Sequence, residues 1–370
     1  MQNTETINLD KKQLRSLIND NVKSAELLNL VYVNDKEEGI NRVTKKDHFI
    51  YKINNTQIHD KEVLARIKSL VLPPAWQQVW ICTSPNGHLQ ATGVDADGRK
   101  QYRYHPLWTA LRKQTKFLHL FDLGANLPKI RSQIKSDLAL KGLGPRKVLA
   151  AAVSLMEYTG IRVGNSFYEK LYGSFGLTTL KDKHITITGE KIVFSFKGKK
   201  GIYQNITLKN KKLARIVQQC KDIPGKELFQ YYDEDGKRRT IDSGMVNDYI
   251  KEICGKNFTA KDLRTWTGTV SALETLVQFG CCDTVAKANH NIIDALDITA
   301  KRLGNTRTVC KKYYVHPAVL ECYLNNTLEK YMAQVSNSST ENEAFCHEEQ
   351  VLMKILGGAN TTTIELRGNA

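Results

Sequence analysis

Residues 78–105 read Gln-Val-Trp-Ile-Cys-Thr-Ser-Pro-Asn-Gly-His-Leu-Gln-Ala-Thr-Gly-Val-Asp-Ala-Asp-Gly-Arg-Lys-Gln-Tyr-Arg-Tyr-His. Two turn signals, Pro85-Asn86-Gly87 and Asp95-Ala96-Asp97-Gly98, cut this stretch into three short segments. Asn-Gly and Asp-Gly suit tight hairpin turns because both residues tolerate the left-handed backbone such turns need. The spacing therefore predicts three consecutive antiparallel strands over 78–83, 88–94 and 100–105. Upstream, Phe49, Tyr51 and Ile53 alternate before an Asn54-Asn55 turn, which reads as another strand. A helical run over 61–70 ends at Leu72-Pro73-Pro74, where proline blocks continuation. Residues 39–112 are thus expected to form a small β-rich unit.

Downstream the period changes. From about Leu107 it is helical, and Leu149, Ala152, Val153 and Met156 fall at i, i+3, i+4 and i+7, an apolar helix face. Thr159-Gly160 interrupts, and a second helical run is expected over 161–172. Three strand candidates follow at 184–188, 192–196 and 202–208, separated by Gly189-Glu190 and by a glycine-bounded turn at 198–201. Beyond Lys211 helices are expected to about Met332, then a polar linker at 336–342 and a short helix over 343–356. Residues 1–38 read as a polar lead-in with one amphipathic helical stretch at Leu14, Leu17 and Ile18. No internal repeat is evident. The expected fold class is α+β: a small antiparallel β-sheet N-terminal domain, then a larger, mostly α-helical domain containing a small three-stranded sheet. The expected boundaries are 1–38, 39–112, 113–332 and 333–370.

The chain has 370 residues, 41% hydrophobic and 25% charged, an ordinary globular composition. Its longest apolar stretch, 148–156, is far short of the roughly 18 residues of a membrane span. The opening residues lack an apolar signal-peptide core. A cytoplasmic location is expected, nucleoid-associated if the source is bacterial. None of the eight cysteines forms a C-x-x-C pair, so neither a zinc knuckle nor a redox motif is supported, and buried thiols are expected. The 54 Lys and Arg exceed the 38 Asp and Glu by 16. Such an excess suits an anionic partner, nucleic acid being the commonest.

Several chemistries are absent. There is no G-x-x-x-x-G-K-[ST] phosphate loop, no G-x-G-x-x-G after a strand and no H-E-x-x-H. The acidic turns Asp95-Ala96-Asp97-Gly98 and Asp233-Glu234-Asp235-Gly236 lack the bidentate glutamate of a calcium loop and read as hairpin turns. No metal and no cofactor are expected.

What remains is a set of basic residues at glycine-flanked positions, plus Tyr313-Tyr314 before Val315-His316-Pro317. Taken singly, each cation is more often a solvated charge or phosphate contact than a catalyst, and each tyrosine more often a packed side chain. Their order is the informative feature. The small unit carries Gly39-Ile40-x-Arg42, Leu72-Pro73-Pro74-Ala75-Trp76, Val79-Trp80-Ile81, the segment from Pro85 to Gly93, and Gly98-Arg99-Lys100-Gln101-Tyr102-Arg103-Tyr104-His105. The larger unit carries Gly160-Ile161-Arg162-Val163-Gly164-Asn165, Gly198-Lys199, Lys261-Asp262-Leu263-Arg264-Thr265, and Leu303-Gly304-Asn305-Thr306 leading to Tyr314-Val315-His316-Pro317. In this order the chain, from about Gly39 to Leu320, resembles the poxvirus-type (bacterial and viral) DNA topoisomerases of type IB.

The resemblance implies a tyrosine that attacks a DNA phosphodiester, leaving a 3′-phosphotyrosyl enzyme and a free 5′-hydroxyl. Tyr314 takes that role because it directly precedes Val-His-Pro, and Tyr313 is its neighbour. Arg162 and Arg264 match the phosphate-clamping arginines, and planar guanidinium suits that task. Lys199 matches the general acid that protonates the leaving 5′-oxygen, whereas Lys197 and Lys200 read as solvated. Asn305 stands where the poxvirus branch often has histidine; its amide can still donate to a phosphoryl oxygen without carrying charge. Arg307 stands where relatives often have proline. Gln101, Tyr102 and Tyr104 match a DNA-contacting strand, with Tyr102 and Tyr104 on one face and Gln101 and Arg103 on the other. Tyr168 and Lys261 match further DNA contacts.

The resemblance thus implies a monomeric, two-domain clamp on duplex DNA, preferably supercoiled, with no membrane and no obligate protein partner. It would relax DNA without ATP or metal. Two alternatives stand beside it. A tyrosine recombinase shares the nucleophile and arginines, but typically has His-x-x-Arg where this chain has Lys261-Asp262-Leu263-Arg264, and lacks the Pro-Pro-Ala-Trp unit. A catalytically inactive basic DNA-binding protein would show no activity even with Tyr314 intact.

Overall fold

The computed structural model describes residues 5–9, 20–45, 48–115, 117–336, 345–358 and 362–366. The amphipathic stretch at Leu14, Leu17 and Ile18 and the linker beyond Ser336 lie outside the described residues. The chain groups into two compact units, Met1–Leu118 with Asn360–Ala370, and His119–Ala359. Its mixed α+β class, with antiparallel sheets and one three-stranded sheet among the helices, is the one expected from the sequence.

In the first unit, strand β1 (Glu5–Leu9) and helix α1 (Asn21–Leu27) precede β2 (Ile40–Lys45), β3 (His48–Ile53) and β4 (Thr56–Gln57). Helix α2 (Lys61–Ser69) leads to β5 (Gln77–Ile81), β6 (Leu89–Val94), β7 (Lys100–Tyr104) and helix α3 (Pro106–Thr115). Six strands pair antiparallel in the order β4-β3-β2-β5-β6-β7. Asp60 starts α2 by accepting from the amides of Glu62 at 2.8 Å and Val63 at 3.1 Å. The core joins Ile67 of α2 to Ile40, Val79, Ile81 and Ala91 of the sheet. Two quoted motifs explain each other here. Arg42 donates to the carbonyls of Pro73 at 3.0 Å and Trp76 at 2.6 Å, tying the Pro-Pro-Ala-Trp turn to β2. Gly39 is required because a Cβ there would fall 2.0 Å from the Trp80 ring nitrogen.

The first unit departs from expectation at both ends of the chain. The lead-in carries buried Ala25, Leu28 and Leu30, which pack on Trp108 and Leu111 of α3. β1 pairs with a strand not anticipated, β13 (Thr362–Leu366).

The second unit starts with α4 (Leu118–Asp137) and α5 (Pro145–Thr159). The sequence suggested one apolar face for α5; Val148 to Met156 are instead buried all round, which makes α5 the central helix. The following run was expected from residue 161, but helix α6 spans Ser166–Tyr172. The delay has a local cause. Gly164 takes a φ of 98° against the backbone of Gly176, and Asn165 then caps α6, its Oδ1 accepting from Phe167 N at 2.8 Å.

The three-stranded sheet, in the order β10-β9-β8, contains β8 (Ile185–Thr188), β9 (Lys191–Lys197) and β10 (Tyr203–Lys209). After α7 (Lys211–Lys221) comes a hairpin, β11 (Gln230–Tyr232) and β12 (Arg238–Thr240), around the acidic Asp-Gly turn. The turn had been read as a hairpin turn, but the run around it as mainly helical, with no strands assigned. The remaining helices are α8 (Ser243–Cys254), α9 (Ala260–Phe279), α10 (Val285–Leu303), α11 (Arg307–Tyr313), α12 (Pro317–Leu324), α13 (Leu328–Ser336) and α14 (His347–Gly358). Buried Glu349 of α14 accepts from Trp266 of α9 at 2.8 Å and from Arg131 of α4 at 2.7 Å, binding α14 to the helix that carries Arg264. No helix among the described residues is long and apolar enough to cross a membrane.

Candidate active site

Arg264 is positioned by how α9 begins. Thr259 and Asp262 form a reciprocal cap, with Thr259 N and Oγ1 donating to Asp262 Oδ2 at 2.9 and 2.7 Å. Lys261 is exposed in the first turn of α9, and Arg264, one turn further on, is only 4% exposed. Its Nη2 donates to the carbonyl of Leu303, the last residue of α10, at 3.1 Å. Its Nε and Nη1 are buried and have no hydrogen-bond partner among the described residues.

The end of α10 supplies both anchor and neighbour. Gly304 adopts φ 59°, and Asn305 N turns back to Ala300 O at 2.9 Å, a glycine-terminated helix end. This turn presents the carbonyls of Leu303 and Gly304, at the negative end of the helix dipole, to two guanidinium groups. Arg162, from the loop after α5, donates through Nη2 to Gly304 O at 3.1 Å and to Asn305 Oδ1. Because guanidinium only donates, the Asn305 atom facing it must be the oxygen. That leaves Asn305 Nδ2 buried and without a partner among the described residues.

Tyr314 closes the group. It ends α11, packs on Ala300, Leu303 and Cys310, and its ring centroid lies 5.2 Å from the Arg264 guanidinium. Thr269 Oγ1, on α9, sits 3.2 Å from Tyr314 O and accepts from His316 N at 3.2 Å. Beside it Gly268 allows helix and tyrosine to touch: a Cβ there would lie 2.7 Å from Tyr314 O. Burial, together with the charge of Arg162, pushes the Arg264 guanidinium down to about 10, still well above neutrality. Burial likewise lowers Arg162, and Tyr314 works against that shift. Cys310, beneath the cluster, is pushed up to about 11 by burial, which keeps it a neutral thiol.

Arg162, Arg264, Asn305 and Tyr314 therefore converge. Lys199 stands in the exposed Lys199–Gly201 turn between β9 and β10 and has no hydrogen-bond partner among the described residues. Its turn is linked to the cluster through Gln204, a buried side chain of β10. A Cβ on Gly198 would meet Gln204 Cγ at 3.2 Å, and one on Gly304 would meet Gln204 Nε2 at 2.4 Å. Tyr168 is exposed on α6, its ring stacked on Tyr172 at 6.1 Å.

Gln101, Tyr102 and Tyr104 lie on β7 of the other unit. The two tyrosine rings are exposed and nearly parallel, 6.0 Å apart, and Gln101 Nε2 donates to Asp95 Oδ2 at 2.7 Å. Sequence reasoning passed over Gln204, Gly268 and Cys310. Only Gln204 leaves a trace, as the polar member of the inward set Gln204, Ile206 and Leu208. Among the described residues, no three His, Cys, Asp or Glu side chains group into a metal cluster.

Comparisons with known proteins bear on the family of the chain. A family model described as the catalytic core of eukaryotic DNA topoisomerase I matches residues 107–342, and one described as the N-terminal domain of bacterial DNA topoisomerase IB matches residues 48–95. The chain is 33% identical over 298 residues to DNA topoisomerase 1B of Acanthamoeba polyphaga mimivirus, covering 78% of this chain and 88% of that protein. It is 24% identical over 234 residues to DNA topoisomerase 1B of Vaccinia virus (strain Copenhagen), covering 62% of this chain and 70% of that protein. A similar match, 25% over 244 residues, is DNA topoisomerase 1 of Rabbit fibroma virus (strain Kasza), with 64% and 72% covered. A catalytic-core match over more than half the chain, with a relative this similar over most of its length, makes the chain a member of the type IB DNA topoisomerases, DNA-binding enzymes of type I.

Proposed function

We propose that Tyr314 attacks a phosphodiester of duplex DNA and forms a 3′-phosphotyrosyl bond, releasing a 5′-hydroxyl strand that swivels and is then rejoined. One observation carries the reading. Arg264 Nε and Nη1 and Asn305 Nδ2 are buried donors with no partner among the described residues, grouped beside one tyrosine. A buried unpaired donor is costly, on the order of 1–3 kcal/mol, unless something arrives to accept from it. The non-bridging oxygens of a phosphoryl transition state are such acceptors, and donors fixed in advance stabilise them without reorganisation.

Arg162 and Arg264 clamp the phosphoryl oxygens, and Asn305 adds an uncharged donor. Lys199, on its exposed turn, protonates the leaving 5′-oxygen and later accepts that proton back. The covalent bond to tyrosine conserves the energy of the broken phosphodiester, so rejoining needs no ATP. The arginines and Lys199 supply charge and proton, so the cycle runs without an added metal ion. A monomer suffices, with Tyr102, Tyr104, Tyr168 and Lys261 contacting the duplex backbone, Gln101 facing a base edge, and supercoiled DNA as the preferred substrate. The +16 net charge supports binding to such a polyanion.

The test is relaxation of positively and negatively supercoiled plasmid in EDTA without ATP, alongside Tyr314→Phe. Loss of both signs by the native protein, and loss of all relaxation with retained DNA binding in the variant, is expected. Normal relaxation by Tyr314→Phe would overturn the assignment. Intact supercoils despite tight plasmid binding by the native protein would favour the recombinase or inactive-binder alternatives.

A further inference from the structure

Gln101 reaches its place with half of its amide already committed. It lies on β7 opposite Gly93, at the far side of the Asp95–Gly98 turn. Its Nε2 donates to Asp95 Oδ2 at 2.7 Å, and nothing among the described residues donates to its Oε1. Asp95 is itself held firmly. Its Oδ1 accepts from the amides of Asp97 at 3.0 Å and Arg99 at 2.9 Å, and its Oδ2 also accepts from Arg99 Nε at 2.7 Å. Desolvation acts to raise this carboxyl, but the bonds from Arg99 and Gln101 outweigh it and hold it below the usual carboxylate range. The carboxylate is therefore an acceptor and nothing else at neutral pH.

An amide that rotates freely can turn either its oxygen or its nitrogen outward, so it does not by itself discriminate between base edges. Beside an acceptor-only carboxylate one of the two orientations is lost. Turning Oε1 toward Asp95 would set two acceptors against each other and forfeit a charge-assisted hydrogen bond. The outward edge of Gln101 is thus one acceptor, Oε1, flanked by the second N–H of Nε2.

We propose that Asp95 is a specificity-determining positioning residue: by locking the Gln101 amide with Oε1 outward, it makes the small unit select a base whose major-groove edge offers an amino donor. Adenine fits fully, with its N6 amino group donating to Oε1 and its N7 accepting from Nε2. Cytosine fits in part through its N4 amino group. Guanine and thymine present O6, N7 or O4 acceptors to Oε1 and are disfavoured. This rests on the reading above that Gln101 faces a base edge of bound DNA, and it adds what sets the base preferred there.

Asp95→Asn tests it. The oxygen of the introduced amide can still accept from the backbone amides of Asp97 and Arg99, so the turn keeps its cap. Its NH₂ group would replace the carboxylate oxygen that faces Gln101, forfeiting the bond from Arg99 Nε while Arg99 keeps its ion pair with Asp97, and Gln101 would turn Oε1 inward to accept from it and its own NH₂ outward. A duplex library randomised around the cleavage site is incubated with each protein, covalent complexes are captured, and the recovered sequences are read. The native chain should enrich adenine, then cytosine, at one position by roughly 5- to 150-fold over guanine and thymine, the range for one good bidentate pair. Gln101→Ala should flatten that position, and Asp95→Asn should shift it toward guanine or thymine.

An Asp95→Asn profile equal to the native one, at a position that Gln101→Ala flattens, would overturn the proposal. So would the absence of any position sensitive to Gln101→Ala. Failure of the native chain to form any covalent DNA complex would instead sink the topoisomerase mechanism itself. A second measurement needs no DNA: in the free protein one Gln101 side-chain amide proton should exchange slowly, and Asp95→Ala should remove that protection. Fast exchange in the native chain would refute the lock.

Discussion

Gly268→Ala probes the close approach of α9 to the Tyr314 backbone. The added Cβ would lie 2.7 Å from Tyr314 O, 3.0 Å from Leu303 Cδ1 and 3.2 Å from Tyr314 Cβ, where ordinary contact begins at 3.4 Å. The shortfall against a backbone oxygen is about 0.7 Å, and no rotamer change relieves it. The segment bearing Tyr314 must therefore move away from α9, and Arg264, on the same helix, stays behind. A displacement near 1 Å in a reacting group costs on the order of 10²-fold, so cleavage should fall by roughly 10- to 100-fold.

Stability should change much less. Overpacking costs about 1–3 kcal/mol, while alanine in a helix interior returns about 1 kcal/mol relative to glycine. The net loss is on the order of 0–2 kcal/mol, a shift of a few degrees in Tm for a unit of this size. Single-turnover cleavage of a duplex that traps the covalent product, with thermal unfolding in parallel, separates the two effects. Cleavage within threefold of the native rate, in a variant that melts normally, would show that the Gly268–Tyr314 contact does not hold the nucleophile in place.

Two further outcomes follow from the same geometry. Arg162→Ala or Arg264→Ala should each lower the single-turnover cleavage rate by about 10²–10³, the scale of losing one fixed donor to a developing oxyanion, and a loss under tenfold for both would mean the clamp lies elsewhere. Lys261→Ala should leave sequence preference alone and reduce the slope of log K against log salt by about 1, measured by titrating duplex DNA at several salt concentrations; an unchanged slope would remove Lys261 from the phosphate contacts.

The parts of the fold legible in the sequence are those decided by nearby residues. The hairpins of the small unit follow from Asn-Gly and Asp-Gly turns, and α2 ends at Ser69, shortly before Pro73 and Pro74 would forbid its continuation. What stayed hidden depends on distant partners. β1 and β13 pair from opposite ends of the chain, and each carries only a short alternation, Ile7 with Leu9 and Ile364 with Leu366, without a flanking turn that would mark it as half of a hairpin. The apolar stripe of α5 was visible, but its burial on every side depends on what packs around it. The β11–β12 hairpin had only its Asp-Gly turn to mark it, between runs that otherwise read as helix. For the candidate site, family resemblance singled out Arg162, Lys199, Arg264, Asn305 and Tyr314, and the structure groups all of these but Lys199. The supporting contacts of Gly268 and Gln204 arise only when α9, α10 and β10 are packed together.

Asn305 shows how an uncharged residue fits among two cations. Arg162 and Arg264 share one small region, and burial loosens the hold of both on their protons: Arg264 is brought to about 10 by burial and by Arg162. A third charge there would add repulsion in a place already poor in water. The Asn305 amide adds none, and its two ends do different things. Oδ1 accepts from Arg162, fixing that guanidinium against the end of α10, and this leaves Nδ2 as a donor without a partner among the described residues. An imidazolium at the same position has no acceptor to offer Arg162. Under the proposed mechanism asparagine would give up some electrostatic pull on a phosphoryl oxygen, while its Oδ1 orients the arginine beside it. Under the proposed mechanism Asn305→Asp, which would keep the bond to Arg162 while losing the outward donor, should lower single-turnover cleavage by about 10²–10³, and cleavage within threefold of the native rate would show that donation from this position is not used.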